Sequence, residues 1–220
     1  MSVNYHAAQS RGVLFENHEK VSEQWRQEFS QYDPARIKNT LHLETDEEYL
    51  YLQYFSSLYR LCLKNGVLEK KLDETWSDQL YFNEAMAIYH FLYYTKDIPV
   101  ISGSWVPSQT VDGVVSRRPT ADPLLDPFAR KYSGKLEELR TACEQAGGTK
   151  LDIGDVGYEF EAFPQVHLRM IFWEAEEDFP AQAQILVDRC VTDFIHYETI
   201  GVLPVFRNIS GQKDPEADRP

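Results

Sequence analysis

Apolar and polar positions alternate with period two in two separate parts of the chain and follow the helical period between them. In "EEYLYLQYF", Tyr49, Tyr51 and Gln53 fall on one side, with Leu50, Leu52 and Tyr54 on the other. "LYRLCLKNGVLEK" sets Tyr59, Leu61 and Leu63 against Arg60, Cys62 and Lys64. Such alternation marks half-buried strands. Asn65-Gly66 between them is a hairpin signal, because a type I′ turn needs positive φ at both central residues. A small antiparallel meander is therefore expected over residues 48–71. A second is expected over residues 156–188. There Tyr158, Phe160 and Ala162 alternate with Glu159, Glu161 and Phe163, and Val166, Leu168, Met170 and Phe172 alternate with His167, Arg169, Ile171 and Trp173. "AQAQILVD" supplies its third strand.

The helical stretches come before, between and after these patches. Val21, Trp25 and Phe29 recur every four residues and predict an amphipathic helix within residues 13–29. Asp33 followed by Pro34 predicts the cap and first turn of a short helix ending near Asn39 or Thr40. "SDQLYFNEAMAIYHFLYYTKD" puts Leu80, Glu84, Ile88 and Leu92 on one face and Tyr81, Ala85, Tyr89 and Tyr93 beside it, with Ser77 as the cap. A helix so apolar all round belongs in the centre of the fold. Residues 100–128 hold four prolines and several turn signals, and read as a long irregular connection with one short strand near Val100 or Trp105. Leu136, Leu139 and Cys143 mark a helix ended by Gly147-Gly148. "CVTDFIHYETIGVLPVFRN" reads as helical, with a break or kink at Pro204, and residues 211–220 as a disordered polar tail. Consecutive strands separated by helices give an α+β class with antiparallel meanders packed against several helices, in one domain over residues 1–210.

Charge and cysteine use narrow the function classes. The 220 residues carry a net charge of −13, which repels phosphate backbones and anionic lipid heads. Neither nucleic acid nor membrane is an expected partner. No apolar run approaches the length of a membrane span, and residues 1–20 lack the basic and apolar regions of a signal peptide. Cys62, Cys143 and Cys190 are far apart in sequence, so neither a disulfide framework nor a cysteine metal site is indicated, and a reducing cytoplasm fits.

Candidate chemistry concentrates in "WEAEEDFPAQAQILVD". Glu174, Glu176, Glu177 and Asp178 could ligate a hard cation or form an acid/base pair. They equally read as a solvated hairpin turn that guards a sheet edge. Trp105, Trp173 and Phe179 could line a ligand site or could be packed. Asp188 could serve a site or cap a helix, and Glu198 lies two residues from His196, too close for both to share a helix face. His90 on the apolar helix reads as a hydrogen-bonded core residue. Nucleotide-binding, nucleophile-elbow and zinc-protease spacings are absent, so no cofactor is assigned.

The stretch from Asp155 onward resembles the family known as domain of unknown function 3786. The matching positions are Asp155, Pro164, Trp173, Glu177-Asp178, Phe179-Pro180, Asp188 and Glu198, with Gly103 and Trp105 earlier. The similarity spans most of residues 30–208 and implies no particular activity. Some members, from anaerobic prokaryotes, carry an added cysteine-rich segment of iron–sulfur type, which this chain does not have. Ala175-Glu176 stands where the family pattern has Gly-Asp, a change that could relax a turn. Together these features point to an accessory domain that recognises a small molecule or a protein without catalysing a reaction. The alternative is a carboxylate-based enzyme, with or without a divalent metal, built on residues 173–188. The binding residues expected are Trp105, Trp173, Glu174, Glu177, Asp178, Phe179, Asp188 and Glu198.

Overall fold

The computed structural model describes residues 18–29, 33–111, 125–200, 205 and 209. Helix α1 (His18–Phe29) presents Trp25 and Phe29 to the core, as their spacing requires. The part of this helix expected before residue 18 lies outside the described residues, as do Pro204 and the tail. Helix α2 (Pro34–Leu41) starts where Asp33 accepts hydrogen bonds from the Ala35 and Arg36 amides. Its cap spares the first-turn donors that would otherwise have no partner.

The first sheet is a meander in the order β1-β2-β3-β4-β5, all antiparallel: β1 (Glu44–Thr45), β2 (Tyr49–Tyr54), β3 (Ser57–Cys62), β4 (Leu68–Leu72) and β5 (Thr75–Ser77). It is longer at both ends than the 48–71 expected, because two- and three-residue edge strands carry too few positions to show a period. Leu50, Leu52, Tyr54, Tyr59 and Leu61 fill its inner face, as the alternation demanded. The β3–β4 turn differs from the expected type I′. Strands β3 and β4 are closed by Cys62 N–H on Val67 O at 2.8 Å, and Gly66 has positive φ while Asn65 does not. Asn65 instead accepts from the Val67 amide. A Cβ on Gly66 would stand 2.8 Å from the Arg26 carbonyl oxygen, so this turn is glycine because α1 lies against it.

Helix α3 (Phe82–Tyr94) is buried continuously from Ala85 to Leu92 and is the central rod of the fold. Ser77 does not cap it. Ser77 ends β5, and the Glu84 carboxylate turns back to the Tyr81 amide instead. The second sheet has the order β6-β10-β9-β8-β7, again antiparallel throughout. Its strands are β6 (Trp105–Pro107), β7 (Thr149–Leu151), β8 (Val156–Phe163), β9 (Val166–Trp173) and β10 (Gln182–Asp188). A bulge between Glu161 and Phe163 turns Phe163 inward, out of its expected alternation. Phe163 then stacks on Phe91 of α3 at 3.9 Å and meets Tyr54 of the first sheet at 4.9 Å. The Phe55 amide donates to Ala162 O at 2.9 Å, so one contiguous buried core spans both sheets and α3.

Two helices pack beside the second sheet: α4 (Leu125–Tyr132) and α5 (Leu136–Gln145). The irregular connection expected over residues 100–128 gives way at Leu125 to α4, whose Leu125, Phe128, Ala129 and Tyr132 share the buried face and whose proline sits in the first turn, where it is tolerated. The helix expected from residue 190 onward is instead broken. A 3₁₀ turn (Val191–Asp193) is followed by irregular backbone and then α6 (Tyr197–Ile200). The break lets the Thr95 hydroxyl reach the Phe194 carbonyl and the Lys96 amide reach Asp193 O.

Candidate functional site

Pairing in the second sheet fixes where the candidate residues lie. Trp173 stands opposite Gln182, Arg169 opposite Leu186 and Trp105 opposite Asp188. All therefore share the outer face. Trp173 and Asp188 nevertheless mark opposite ends of β10, about 20 Å apart at 3.3 Å per residue.

At the first end, β9 stops at Trp173 and the strand period stops with it. Glu174 bends toward the α4–α5 junction. Its Oε1 accepts from the Ser133 hydroxyl and the Ala175 amide, both at 2.8 Å, and its Oε2 from the Gly134 amide at 2.7 Å. The Ala175 amide, then the Ser133 hydroxyl, hold the Glu174 carboxyl below the usual carboxylate range. The Glu174 amide donates to Asp155 Oδ2, and Gly154 beside it has positive φ and no room for a side chain, since a Cβ there would stand 2.7 Å from Ile171 and 2.8 Å from the Phe172 carbonyl oxygen. Beyond it, Glu176 and Phe179 exchange backbone hydrogen bonds across a tight turn. Glu177 and Asp178 are its exposed central residues, and neither has positive φ. Ala175 has negative φ too, so the glycine of the family pattern is not needed there. Trp173 is 38% exposed and Phe179 64%. An open hollow beside this end is lined by Gly134, Lys135, Leu136, Glu137, Glu138 and Glu174.

At the other end, Asp188 ties down the segment that precedes β6. Its Oδ1 accepts from the Ser102 amide, the Ser102 hydroxyl and the Cys190 amide, and its Oδ2 from the Gly103 amide at 2.7 Å. Burial pushes the Asp188 carboxyl up, but the Cys190, Ser102 and Gly103 donors outweigh it and hold the group below the ordinary aspartate value. Asp193 accepts from the Val100 amide and pairs with Lys96. Between these anchors Ile98, Val100 and Ile101 face solvent. Ser102 was not singled out from the sequence, and Gly103 was noted only as part of the family resemblance. The available signal was the apolar run "IPVI" inside an otherwise irregular segment.

Trp105 is half-buried under the Arg169 guanidinium, 3.6 Å from the ring centre. Arg169 and His167 both bond to Glu159, at 2.7 and 2.9 Å. Glu198, in α6, lies 3.7 Å from His196, which in turn packs near Tyr94 and His90 of α3. His90 is a core residue hydrogen-bonded to Thr199 at 2.6 Å, as its setting suggested. Burial, then the nearby His196, pushes His90 down to about 3.

The eight candidates thus occupy separate places: Trp173, Glu174, Glu177, Asp178 and Phe179 at one end of β10, Asp188 with Trp105 at the other, and Glu198 on α6. Among the described residues no group of three or more His, Cys, Asp and Glu side chains is arranged to hold a metal ion. No helix among them is long and apolar enough to cross a membrane. Neither a curated protein nor a solved structure matches. Residues 33–206 do match one family, and they include every position on which the resemblance was noted. The chain belongs to the family described as domain of unknown function (DUF3786).

Proposed function

We propose that this chain is a non-catalytic accessory domain, soluble and cytoplasmic, that docks on another protein through the β9–β10 connection. The observation that carries this proposal is the exposure of two large aromatic side chains, Trp173 at the end of β9 and Phe179 on the eight-residue connection that follows it. Aromatic anchors of this kind dominate binding energy at protein interfaces. The connection is held in place by Glu174 on the α4–α5 junction and by the 176–179 turn, so little ordering is left to pay for on binding. A protein is favoured over a small molecule because the adjoining hollow is open to solvent, whereas small-ligand sites enclose most of their ligand. Glu174 and Asp188, the candidate carboxylates that accept several hydrogen bonds each, are both held below the ordinary carboxylate range. A general acid at neutral pH needs the opposite shift.

The test is site-specific photo-cross-linking. A benzophenone amino acid replaces Phe179, or Lys71 on the first sheet as a control, and the chain is irradiated in extract of its native cells. A discrete adduct from position 179 that is missing from position 71 and lost in Trp173→Ala is expected. Equal adducts from both positions, or none from 179, would overturn the proposal.

A further inference from the structure

Two other tryptophans on the outer sheet faces are each covered by an arginine that a glutamate holds in place. Arg60 lies 4.3 Å from the Trp76 ring centre and 4.0 Å from that of Tyr49, with Glu69 on its Nε at 2.7 Å. Arg169 lies 3.6 Å from the Trp105 ring centre, with Glu159 on its Nε at 2.7 Å. The fold therefore builds the same unit twice, an aromatic face, a guanidinium and a carboxylate, once on each sheet. The attraction of a cation to a ring face is one part of the unit and the charge-assisted hydrogen bond is the other.

Trp173 lies on the same outer face as Trp105 and is more exposed, and beyond Glu174, which bonds to Ser133 and Gly134, three more carboxylates follow it: Glu176, Glu177 and Asp178. Among the described residues no arginine or lysine lies over Trp173, and none pairs with these three side chains. The nearby Lys135 lies 3.9 Å from Glu138, and farther off Arg36 pairs with Asp97, Lys70 with Glu84, Lys96 with Asp193 and Arg140 with Glu137. The β9–β10 connection thus holds an aromatic face and carboxylates without the guanidinium that completes the unit elsewhere. Three like charges in a four-residue turn also repel one another, and a bound cation relieves that repulsion.

We infer that the partner docking on the β9–β10 connection supplies an arginine-bearing segment, whose guanidinium covers Trp173 and is held by the carboxylates of the 176–178 turn. This rests on the docking function proposed above and adds the chemistry of the partner. Arginine is preferred to lysine because its plane stacks on a ring while its edge bonds a carboxylate. A second copy of this chain is a poor occupant, since two bodies of net charge −13 repel at long range.

Fluorescence anisotropy with labelled hexa-arginine, hexa-lysine and hexa-citrulline peptides tests this on the full chain at low salt. Hexa-citrulline keeps the planar edge and lacks the charge. Trp173→Leu and Glu177→Gln/Asp178→Asn are compared with Asp73→Asn/Glu74→Gln. The last alters an equally exposed acidic turn of the first sheet and removes the same net charge. Hexa-arginine is expected to bind more tightly than hexa-lysine, with no binding of hexa-citrulline. Its affinity should fall at least fivefold in both variants of the connection and stay within twofold in the control. An equal loss in the control, or no loss in Trp173→Leu, would reduce the binding to general attraction by an acidic chain and overturn the inference. No binding of hexa-arginine at all would overturn it too. Adducts at position 179 that depend on Trp173 but survive excess hexa-arginine would sink the arginine requirement while leaving the docking function standing. Melting temperatures within 2 °C of the parent chain establish that the variants fold.

Discussion

Asp188→Asn should loosen the segment before β6 and weaken the whole fold. The carboxylate takes four donors, the amides of Ser102, Gly103 and Cys190 and the Ser102 hydroxyl. Hydrogen bonds to a charged group contribute about 1.5–3 kcal/mol each when dry. Asp188 is half-buried, so water replaces part of this, and an asparagine oxygen keeps part of the Oδ1 set. Its NH₂ would face the Gly103 amide, donor against donor. A net loss of about 2–4 kcal/mol follows, less than the sum of four charged bonds because the terms are not independent. At about 2–4 °C per kcal/mol for a chain of this size, the melting temperature should drop by about 5–15 °C. The pH dependence has a definite sign. The folded pKa lies below the ordinary aspartate value, so the unfolded chain binds the proton more readily. Asp188 then contributes stability that is full above the unfolded value and is lost as pH falls through the folded one. The stability difference between parent and Asp188→Asn should accordingly narrow below about pH 4. Urea titration at several pH values measures this, and hydrogen exchange at the Ser102 and Gly103 amides localises it. Unchanged melting together with unchanged exchange at those two amides would refute the anchoring role.

Three further outcomes follow from the core. His90 should stay neutral far below the usual histidine range, so its imidazole NMR shifts should not titrate between pH 7 and pH 4, as burial and the nearby His196 dictate. Because the unfolded chain takes up that proton near 6.5 while the folded one waits until about 3, stability should fall by about 1.4 kcal/mol per pH unit within that window. His90→Gln should flatten this slope in acid titrations followed by circular dichroism. Gly66→Ala puts a Cβ 2.8 Å from the Arg26 carbonyl oxygen at positive φ, so a loss of about 1–3 kcal/mol in urea unfolding is expected. Phe163→Ala removes the ring that stacks on Phe91 and touches Tyr54, and should cost about 3–5 kcal/mol by the same measurement.

Period alone located most of the fold. Leu50 and Leu52, or Leu168 and Met170, must face the same way on a strand, and residues Ala85 through Leu92 are too apolar to face water on any side of a helix. Elements shorter than the window that reveals a period stayed hidden. Strands β1, β5 and β7 have two or three residues each, and the helical spacing of Leu125, Phe128, Ala129 and Tyr132 in α4 was masked by the proline-rich stretch around it. Tertiary contact also overrode local signals. The Asn65-Gly66 turn follows the position of α1, not hairpin twist, and Glu84 displaced Ser77 as the group that satisfies the start of α3. The candidate residues were legible as types and not as a constellation. A run such as 174–178 gives no sign that Glu174 leaves it for Ser133 and Gly134, residues some forty positions earlier in the chain.

Those anchors connect fold to function through a single property of carboxylates. An oxygen pair that accepts three or four donors fixes backbone over long sequence separations, and the same donors favour the ionised form. Glu174 and Asp188 can therefore hold loops firmly but cannot also keep a proton ready for transfer near neutral pH. Their position at the two ends of β10 decides what the holding achieves. Each end of the second sheet carries apolar side chains that cost free energy in water, Trp173 and Phe179 at one end and Ile98, Val100 and Ile101 at the other. A mobile loop would fold such groups away against the body of the protein. Pinned backbone keeps them outward, and a preorganised apolar surface is the arrangement from which association loses least entropy.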